Sequence, residues 1–275
     1  MKKFEGILIC SDLDGTLLSK NKSVSKENLE AIEYFKSEGG IFTFITGRMP
    51  RFVSEFYEMI KPNAPIGCIN GGGIYDYAKG KYLWTQEADL AILDLVELVE
   101  KNLPGIGIQV NTFDQSYFCK DDPVMRWFRQ ITGAKYITRP YREIDEPIAK
   151  ILFGVSETES MEDLDRLLRS HPAAALFDFI CSEKMLFEIL PKGVNKGTLL
   201  VQMAEILKIE LEKTIAVGDY DNDISMFRAA SLGIAVGNAC ENAKAAADHV
   251  TVSNEDHAIA KVISDLESGA LRFSV

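Results

Sequence analysis

Short apolar runs alternate with amphipathic stretches over residues 6–70 and again over 195–253, and this rhythm narrows the possible folds more than any other feature. GILIC (6–10), IFTFIT (41–46) and IGCIN (66–70) are too short for helices, and their isoleucine content suits parallel strands buried on both faces. SKENLEAIEYFKSEGG (25–40) and PRFVSEFYEMIK (50–61) read as the helices between them, with Ser25 capping the first and Gly39 ending it. That is a βαβαβ order. It returns in NKGTLLVQMAEILKI (195–209), which sets Leu199, Leu200, Met203, Ile206 and Leu207 on one helical face. The strands TIAVGD (214–219), GIAVGN (233–238) and HVTVS (249–253) follow.

Between the two flanks the rhythm becomes helix, two strands, helix, strand, helix, two strands. GIQVNT (107–112) and QSYFC (115–119) read as a hairpin joined through Phe113 and Asp114, and PVMRWFRQIT, IAKILFGV, SMEDLDRLLRS, AALFDFIC and KMLFEIL continue the series. This describes a small α+β domain with an antiparallel sheet. Trp127, Phe128, Phe177, Phe179 and Phe187 fall at helix or strand spacings and read as its core. The fold class is therefore α/β. A Rossmann-like parallel-sheet core is expected from residues 1–83 and 190–275, with a smaller α+β domain inserted at 84–189. A chain of 275 residues with 47% hydrophobic content can support both cores.

A formal net charge of −11 argues against nucleic acid or an anionic membrane as partner, since both would repel the mean field of the protein. No apolar run approaches the ~18 residues that span a bilayer, and MKKFEGILICSDLDG turns acidic before a signal-peptide core can form. A cytoplasmic protein, monomeric or dimeric, is expected. Cys10, Cys68, Cys119, Cys181 and Cys240 include no C-x-x-C pair and read as reduced core residues. His171, His249 and His257 lack zinc-ligand spacing, so the abundant aspartates point instead to a hard, oxygen-liganded cation such as Mg2+.

Ligands of open parallel sheets bind beyond the carboxyl ends of the strands. Strand 6–10 runs into Ser11-Asp12-Leu13-Asp14-Gly15-Thr16, strand 41–45 into Thr46-Gly47-Arg48, strand 66–69 into Asn70-Gly71-Gly72-Gly73, and strand 214–217 into Gly218-Asp219-Tyr220-Asp221-Asn222-Asp223. Asp12 and Asp14, two apart on extended chain, can share one side and then repel each other unless a cation lies between them or one is protonated. Asp219 strengthens that need. Magnesium held by few carboxylates keeps positions open for a phosphate oxygen. Thr46, the backbone N–H groups around Leu13 and Gly47, and the Lys196 ammonium can hold the remaining phosphate oxygens. Gly15 and Thr16 read as turn residues. Asn70-Gly71-Gly72-Gly73 is open between a plain loop and a close backbone approach to substrate, and Arg48 between a surface residue and a phosphate contact.

Asp12-Leu13-Asp14-Gly15-Thr16 resembles the D-x-D-x-T signature of haloacid dehalogenase-like phosphatases. Thr46 resembles their second motif, Lys196 within PKGVNKG the third, and Gly218-Asp219-Tyr220-Asp221-Asn222-Asp223 the fourth, G-D-x-x-N-D. The four occur in order across essentially the whole chain, and the insertion between the second and third resembles the cap of the Cof-type subgroup. The resemblance implies that Asp12 is the nucleophile of an aspartyl-phosphate mechanism and Asp14 the acid and base, with a pKa nearer neutrality than that of Asp12. It implies metal ligation by the Asp12 carboxylate, the Asp14 backbone carbonyl and Asp219, with Asp223 bound directly or through water, and phosphate binding by Asn222. The carboxylate at position 14 points to phosphatase rather than dehalogenase chemistry. Tyr220, where many relatives carry a small residue, lies in a variable position of the motif. Mg2+-dependent hydrolysis of small phosphomonoesters is the implied function, with a phosphomannomutase-like phosphotransferase or a non-catalytic sensor as alternatives. Hexose phosphates, pyridoxal phosphate and flavin mononucleotide all remain candidate substrates.

Overall fold

The computed structural model describes residues 2–156 and 159–273. The chain begins with β1 (Leu8–Ser11), α1 (Lys26–Ser37), β2 (Ile41–Phe44), α2 (Ser54–Ile60), β3 (Ile66–Cys68), β4 (Gly73–Asp76) and β5 (Lys81–Thr85). It continues through α3 (Ile92–Asn102), β6 (Gly107–Thr112), β7 (Ser116–Lys120), α4 (Pro123–Thr132), β8 (Ile148–Gly154), α5 (Met161–Arg169), β9 (Phe177–Glu183) and β10 (Leu186–Pro191). The last stretch is α6 (Lys196–Leu207), β11 (Thr214–Gly218), α7 (Ile224–Ala229), β12 (Leu232–Ala235), α8 (Glu241–Ala246), β13 (His249–Val250) and α9 (Ala258–Ser268). Two compact units result: Met1–Trp84 with Asn195–Val275, and Thr85–Val194.

In the first unit a five-stranded sheet has the order β13-β12-β11-β1-β2 with every pairing parallel. Ser11 lies opposite both Val217 and Phe44, so the carboxyl ends of β11, β1 and β2 finish together. β1 and β11 are buried throughout, as expected of runs without polar alternation. Ser25 caps α1 by accepting from the Asn28 N–H at 3.2 Å, and Gly39, at φ +90°, follows its end. The buried Asn28 side chain accepts from the Ala260 N–H at 3.0 Å and ties α1 to α9.

One strand departs from the expected βαβαβ order. β3 pairs antiparallel with β4, Cys68 opposite Gly73, in a separate three-stranded sheet β3-β4-β5. An isolated parallel bridge between Ile45 and Gly67 joins it to the end of β2, and the Thr43 hydroxyl donates to Pro65 O at 2.6 Å. The cause is local: directly after Cys68 the chain takes left-handed backbone angles at Ile69 and Asn70 and folds back on itself, where a crossover helix would have carried it onward.

The second unit is built on an antiparallel sheet of order β7-β6-β8-β10-β9. Ile108, Val110, Ile151, Phe153, Phe187 and Ile189 form its core with Val96 and Val99 of α3 and Leu164 and Leu168 of α5. Met125 of α4 joins Phe118, Leu152 and Leu186 in a second cluster, with Trp127 and Phe128 partly buried against it. Among the described residues, no helix is long and apolar enough to cross a membrane. Among the described residues, none of the five cysteines is in a disulfide.

Candidate active site

The polar strand ends of the first unit meet in one cluster. Asp12 continues β1, its N–H donating to Val217 O at 2.7 Å, so its carboxyl group leaves the sheet at a fixed place. Lys196 opens α6 behind the Asn195 cap, and its Nζ lies 2.5 Å from both Asp12 Oδ1 and Asp223 Oδ1. Lys196 is 1% exposed, Asp12 5% and Asp223 0%. Burial favours the neutral amine, yet Asp12 and Asp223 outweigh it and hold the Lys196 pKa above its ordinary value. The second oxygen of Asp223 accepts from the N–H groups of Asp219 (2.8 Å) and Tyr220 (3.1 Å), which folds the G-D-x-x-N-D loop around its own last residue.

Asp219 completes the cluster, with carboxylate oxygens of Asp12, Asp219 and Asp223 all within 4.8 Å of one another. Fully ionised, three carboxylates beside one ammonium leave an excess of two negative charges in a buried place. The pKa values register that cost. Burial pushes Asp12 well above the usual carboxylate range, against the pull of Lys196. Asp219 is pushed up to about 7, first by burial and then by the Asp223 charge. A hard dication relieves this excess, so the donor set fits Mg2+. Thr16, read from sequence as a turn residue, is fully buried and donates to Asp219 Oδ1 at 2.8 Å, orienting that carboxylate. Gly15, at φ +81°, lies so close to Asp219 that a Cβ would run into its carboxylate.

Asp14 stands in a different environment. Arg48 grips it with Nε on Oδ2 at 2.6 Å and Nη2 on Oδ1 at 2.7 Å, and Lys22 Nζ adds a third contact at 2.6 Å. Burial raises the Asp14 pKa, but these cations outweigh it, and the net shift is downward. The expectation that Asp14 sits nearer neutrality than Asp12 is therefore corrected: the order is reversed. The physical reason is a bidentate guanidinium, which sequence spacing does not reveal.

Thr46 and Gly47 form the loop after β2, where the Arg48 N–H donates to Thr46 Oγ1 at 3.2 Å. Asn222 Nδ2 donates to Asn70 Oδ1 at 3.1 Å, bringing the fourth-motif loop to the end of β3. Leu13 is fully buried, and its carbonyl accepts from the Leu18 N–H at 2.8 Å. Asp12, Asp219, Asp223 and Lys196 are thus in one contact network, Gly47, Asn70 and Asn222 in a second, and Asp14 in a third with Arg48 and Lys22. Sequence reasoning missed Thr16 and Lys22 as participants. Only the T of the D-x-D-x-T signature pointed to the first, and nothing pointed to the second.

A family model for haloacid dehalogenase-like hydrolases matches residues 9–263. The chain belongs to that family. Among haloacid dehalogenase-like relatives, the 5-amino-6-(5-phospho-D-ribitylamino)uracil phosphatase YwtE of Bacillus subtilis is 32% identical, covering 95% of this chain and 98% of its own. The phosphatase YitU of the same organism, with the same named activity, is 27% identical over 94% of this chain and 96% of its own. A solved haloacid dehalogenase-like hydrolase from B. subtilis superposes with a TM-score of 0.80 at 28% identity, over 96% of this chain and 99% of that one.

Proposed function

We propose that this phosphatase of the haloacid dehalogenase-like family hydrolyses small phosphomonoesters through an aspartyl-phosphate on Asp12, with Mg2+ as cofactor. The observation that carries the reading is the buried Asp12–Lys196–Asp223 bridge beside Asp219, a fixed carboxylate in a cluster that is short of positive charge. Lys196 orients Asp12 for attack. An Asp12 oxygen forms a bond to phosphorus as the bond to the leaving alkoxide breaks, and Asp14 supplies the proton to that alkoxide. Asp14 then takes a proton from the water that cleaves the phosphoaspartate and frees Asp12. To be protonated, Asp14 has to part from Arg48 and Lys22. Bound Mg2+ would offset the carboxylate charge and draw charge from the phosphoryl oxygens, held by Asp12, Asp219 and the Asp14 carbonyl, with Asp223 acting through water. Engagement of both Asp223 oxygens with Lys196 and two amides supports that last assignment. Thr46, Lys196, Asn222 and the backbone at Leu13 and Gly47 bind the phosphate.

In this reading the second unit is a cap that selects the substrate and excludes water. A phosphate carried on a polyol chain is the first candidate, because YwtE and YitU are named for such a compound. The net charge of −11 supports a small metabolite rather than a polyanion as partner, in a cytoplasmic setting. The test is release of inorganic phosphate from p-nitrophenyl phosphate and a hexose phosphate, with Mg2+ or EDTA, by the native chain and Asp12→Asn. Release that needs Mg2+ and vanishes in Asp12→Asn supports the mechanism. Release indifferent to Asp12 sinks it.

A further inference from the structure

Six non-glycine residues among those described have positive φ: Lys22, Lys61, Ile69, Asn70, Lys208 and His257. Ile69 (φ 58°) and Asn70 (φ 50°) are the only adjacent pair among them, and Ile69 is the only β-branched one, for which this region is a steric outlier. Both are buried. Strained backbone of this kind persists only where its surroundings over-determine it. Here the Ile69 N–H donates to Arg48 O and the Asn70 N–H to Thr46 O, each at 3.1 Å. Gly71, at φ +112°, presses so closely on the Asn195 backbone that no side chain fits.

The turn delivers one group to one place. The Asn70 carboxamide lies against Gly47, where a Cβ would come within 2.9 Å of both Oδ1 and Nδ2, and its Oδ1 accepts from Asn222 Nδ2 at 3.1 Å. An amide nitrogen carries two hydrogens, so the bond to Asn70 fixes the Asn222 group while leaving its second N–H to donate. We infer that Asn70 is a positioning residue for the transferred phosphoryl group, holding the Gly47 backbone and the Asn222 amide in donor geometry at once. This rests on the phosphatase reading, in which Gly47 and Asn222 bind phosphate. A turn that served only to reverse the chain after β3 would need the backbone angles and not the amide.

Glycine separates the two, since it keeps the left-handed angles and removes the carboxamide. In the full chain with Mg2+, Asn70→Gly is expected to melt within a few degrees of the native protein. Its kcat/KM on p-nitrophenyl phosphate should fall roughly tenfold or more, the scale of one lost hydrogen bond to a charged group, and the inhibition constant of inorganic phosphate should rise by a similar factor. Because Asn70 acts in part through Asn222, the double variant Asn70→Gly/Asn222→Ala should lose much less than the product of the two single losses. Asn70→Asp keeps an acceptor for Asn222 but adds a negative charge, and should weaken phosphate inhibition at least as much. If Asn70→Gly loses the fold, Asn70→Asp carries the test by the same phosphate readout. Native phosphate inhibition in a folded variant, or single losses that multiply in the double variant, overturns the inference. Asp12→Asn run in parallel separates the failures: if the native chain shows no Asp12-dependent release, the phosphatase reading falls and this inference with it. If it shows such release while Asn70→Gly behaves as native, only the inference falls.

Discussion

Both units bury a lysine against carboxylates, but in different surroundings. In the second unit Lys150 Nζ meets Glu188 Oε2 at 2.7 Å across neighbouring strands, side chains 6% and 4% exposed. In the first unit Lys196 faces Asp12 and Asp223, with Asp219 beside them. A balanced pair can be a self-contained part of a core, neutral or even costly relative to apolar residues of similar volume. An unbalanced cluster demands a further positive charge, and so points to a bound cation and a reaction. The excess of carboxylates around Lys196, rather than burial alone, marks the candidate site.

The largest effect expected is at Asp12. Asp12→Asn should lower Mg2+-dependent turnover of p-nitrophenyl phosphate at least about 10⁴-fold, as removal of a nucleophile does. In EDTA, however, its urea midpoint should equal or exceed that of the native chain, because one of the repelling buried charges is gone. A large loss of stability would erase the contrast and make the Asp12–Lys196 contact a structural pair like Lys150–Glu188. In the second unit, Lys150→Met should cost about 3–5 kcal/mol by removing the cation that faces Glu188, and Lys150→Met/Glu188→Leu should cost less than Lys150→Met alone. Urea denaturation reads both, and a single variant with the native midpoint would show that Glu188 does not depend on Lys150.

A smaller effect follows from pH. A carboxyl group whose folded pKa is raised binds its proton more tightly folded than unfolded, so stability falls as pH rises from the unfolded value toward the folded one. For Asp219 the window runs from about pH 4 to about 7. In EDTA the native chain should therefore lose on the order of 1 kcal/mol per pH unit more than Asp219→Asn across that window, as read by urea unfolding. Saturating Mg2+ should flatten the difference, since the ion takes the place of the proton. Carboxyl groups with lowered pKa, Asp14 among them, act below this range and do not confuse the comparison. Equal slopes in EDTA would mean that neither burial nor the Asp223 charge raises the Asp219 pKa.

The sequence made the frame of this comparison legible and hid its internal wiring. Parallel strands ending in Asp12, Thr46 and Asp219 could be read because burial on both faces writes uninterrupted apolar runs, and because polar residues then stand out at the strand ends. The eight elements from α3 to β10 were readable from a different rhythm, short strands alternating with amphipathic helices, down to the bounds of β6. Short-range periodicity carries no information about where a long side chain ends. Nothing in Lys20-Asn21-Lys22 tells that Lys22 reaches Asp14, and Arg48 next to a turn looks the same whether it is solvated or locked on a carboxylate. The reversal is only half legible: Asn70-Gly71 suits a turn, but the β-branched Ile69 disfavours the left-handed region, and the contacts that hold it come from Thr46 and Arg48.

The smallest effect concerns that hidden wiring. Asp14 is a half-buried carboxyl group kept ionised by two cations, of which Arg48 contributes the larger share. Arg48→Met removes the bidentate grip, leaves Lys22, and so lets burial pull the Asp14 pKa upward. If Asp14 protonates the leaving group, the fraction of enzyme holding that proton grows at every pH above the old pKa. The alkaline limb of the kcat/KM profile, which reports the free enzyme's acid, should then move to higher pH. Arg48 also stacks over Phe56, its guanidinium carbon 5.5 Å from the ring centroid, so a modest loss of stability should accompany the change. A direct phosphate contact by Arg48 would look different: KM would rise at every pH and the limb would stay where it was. The position of the limb therefore decides whether Arg48 tunes the acid or holds the substrate.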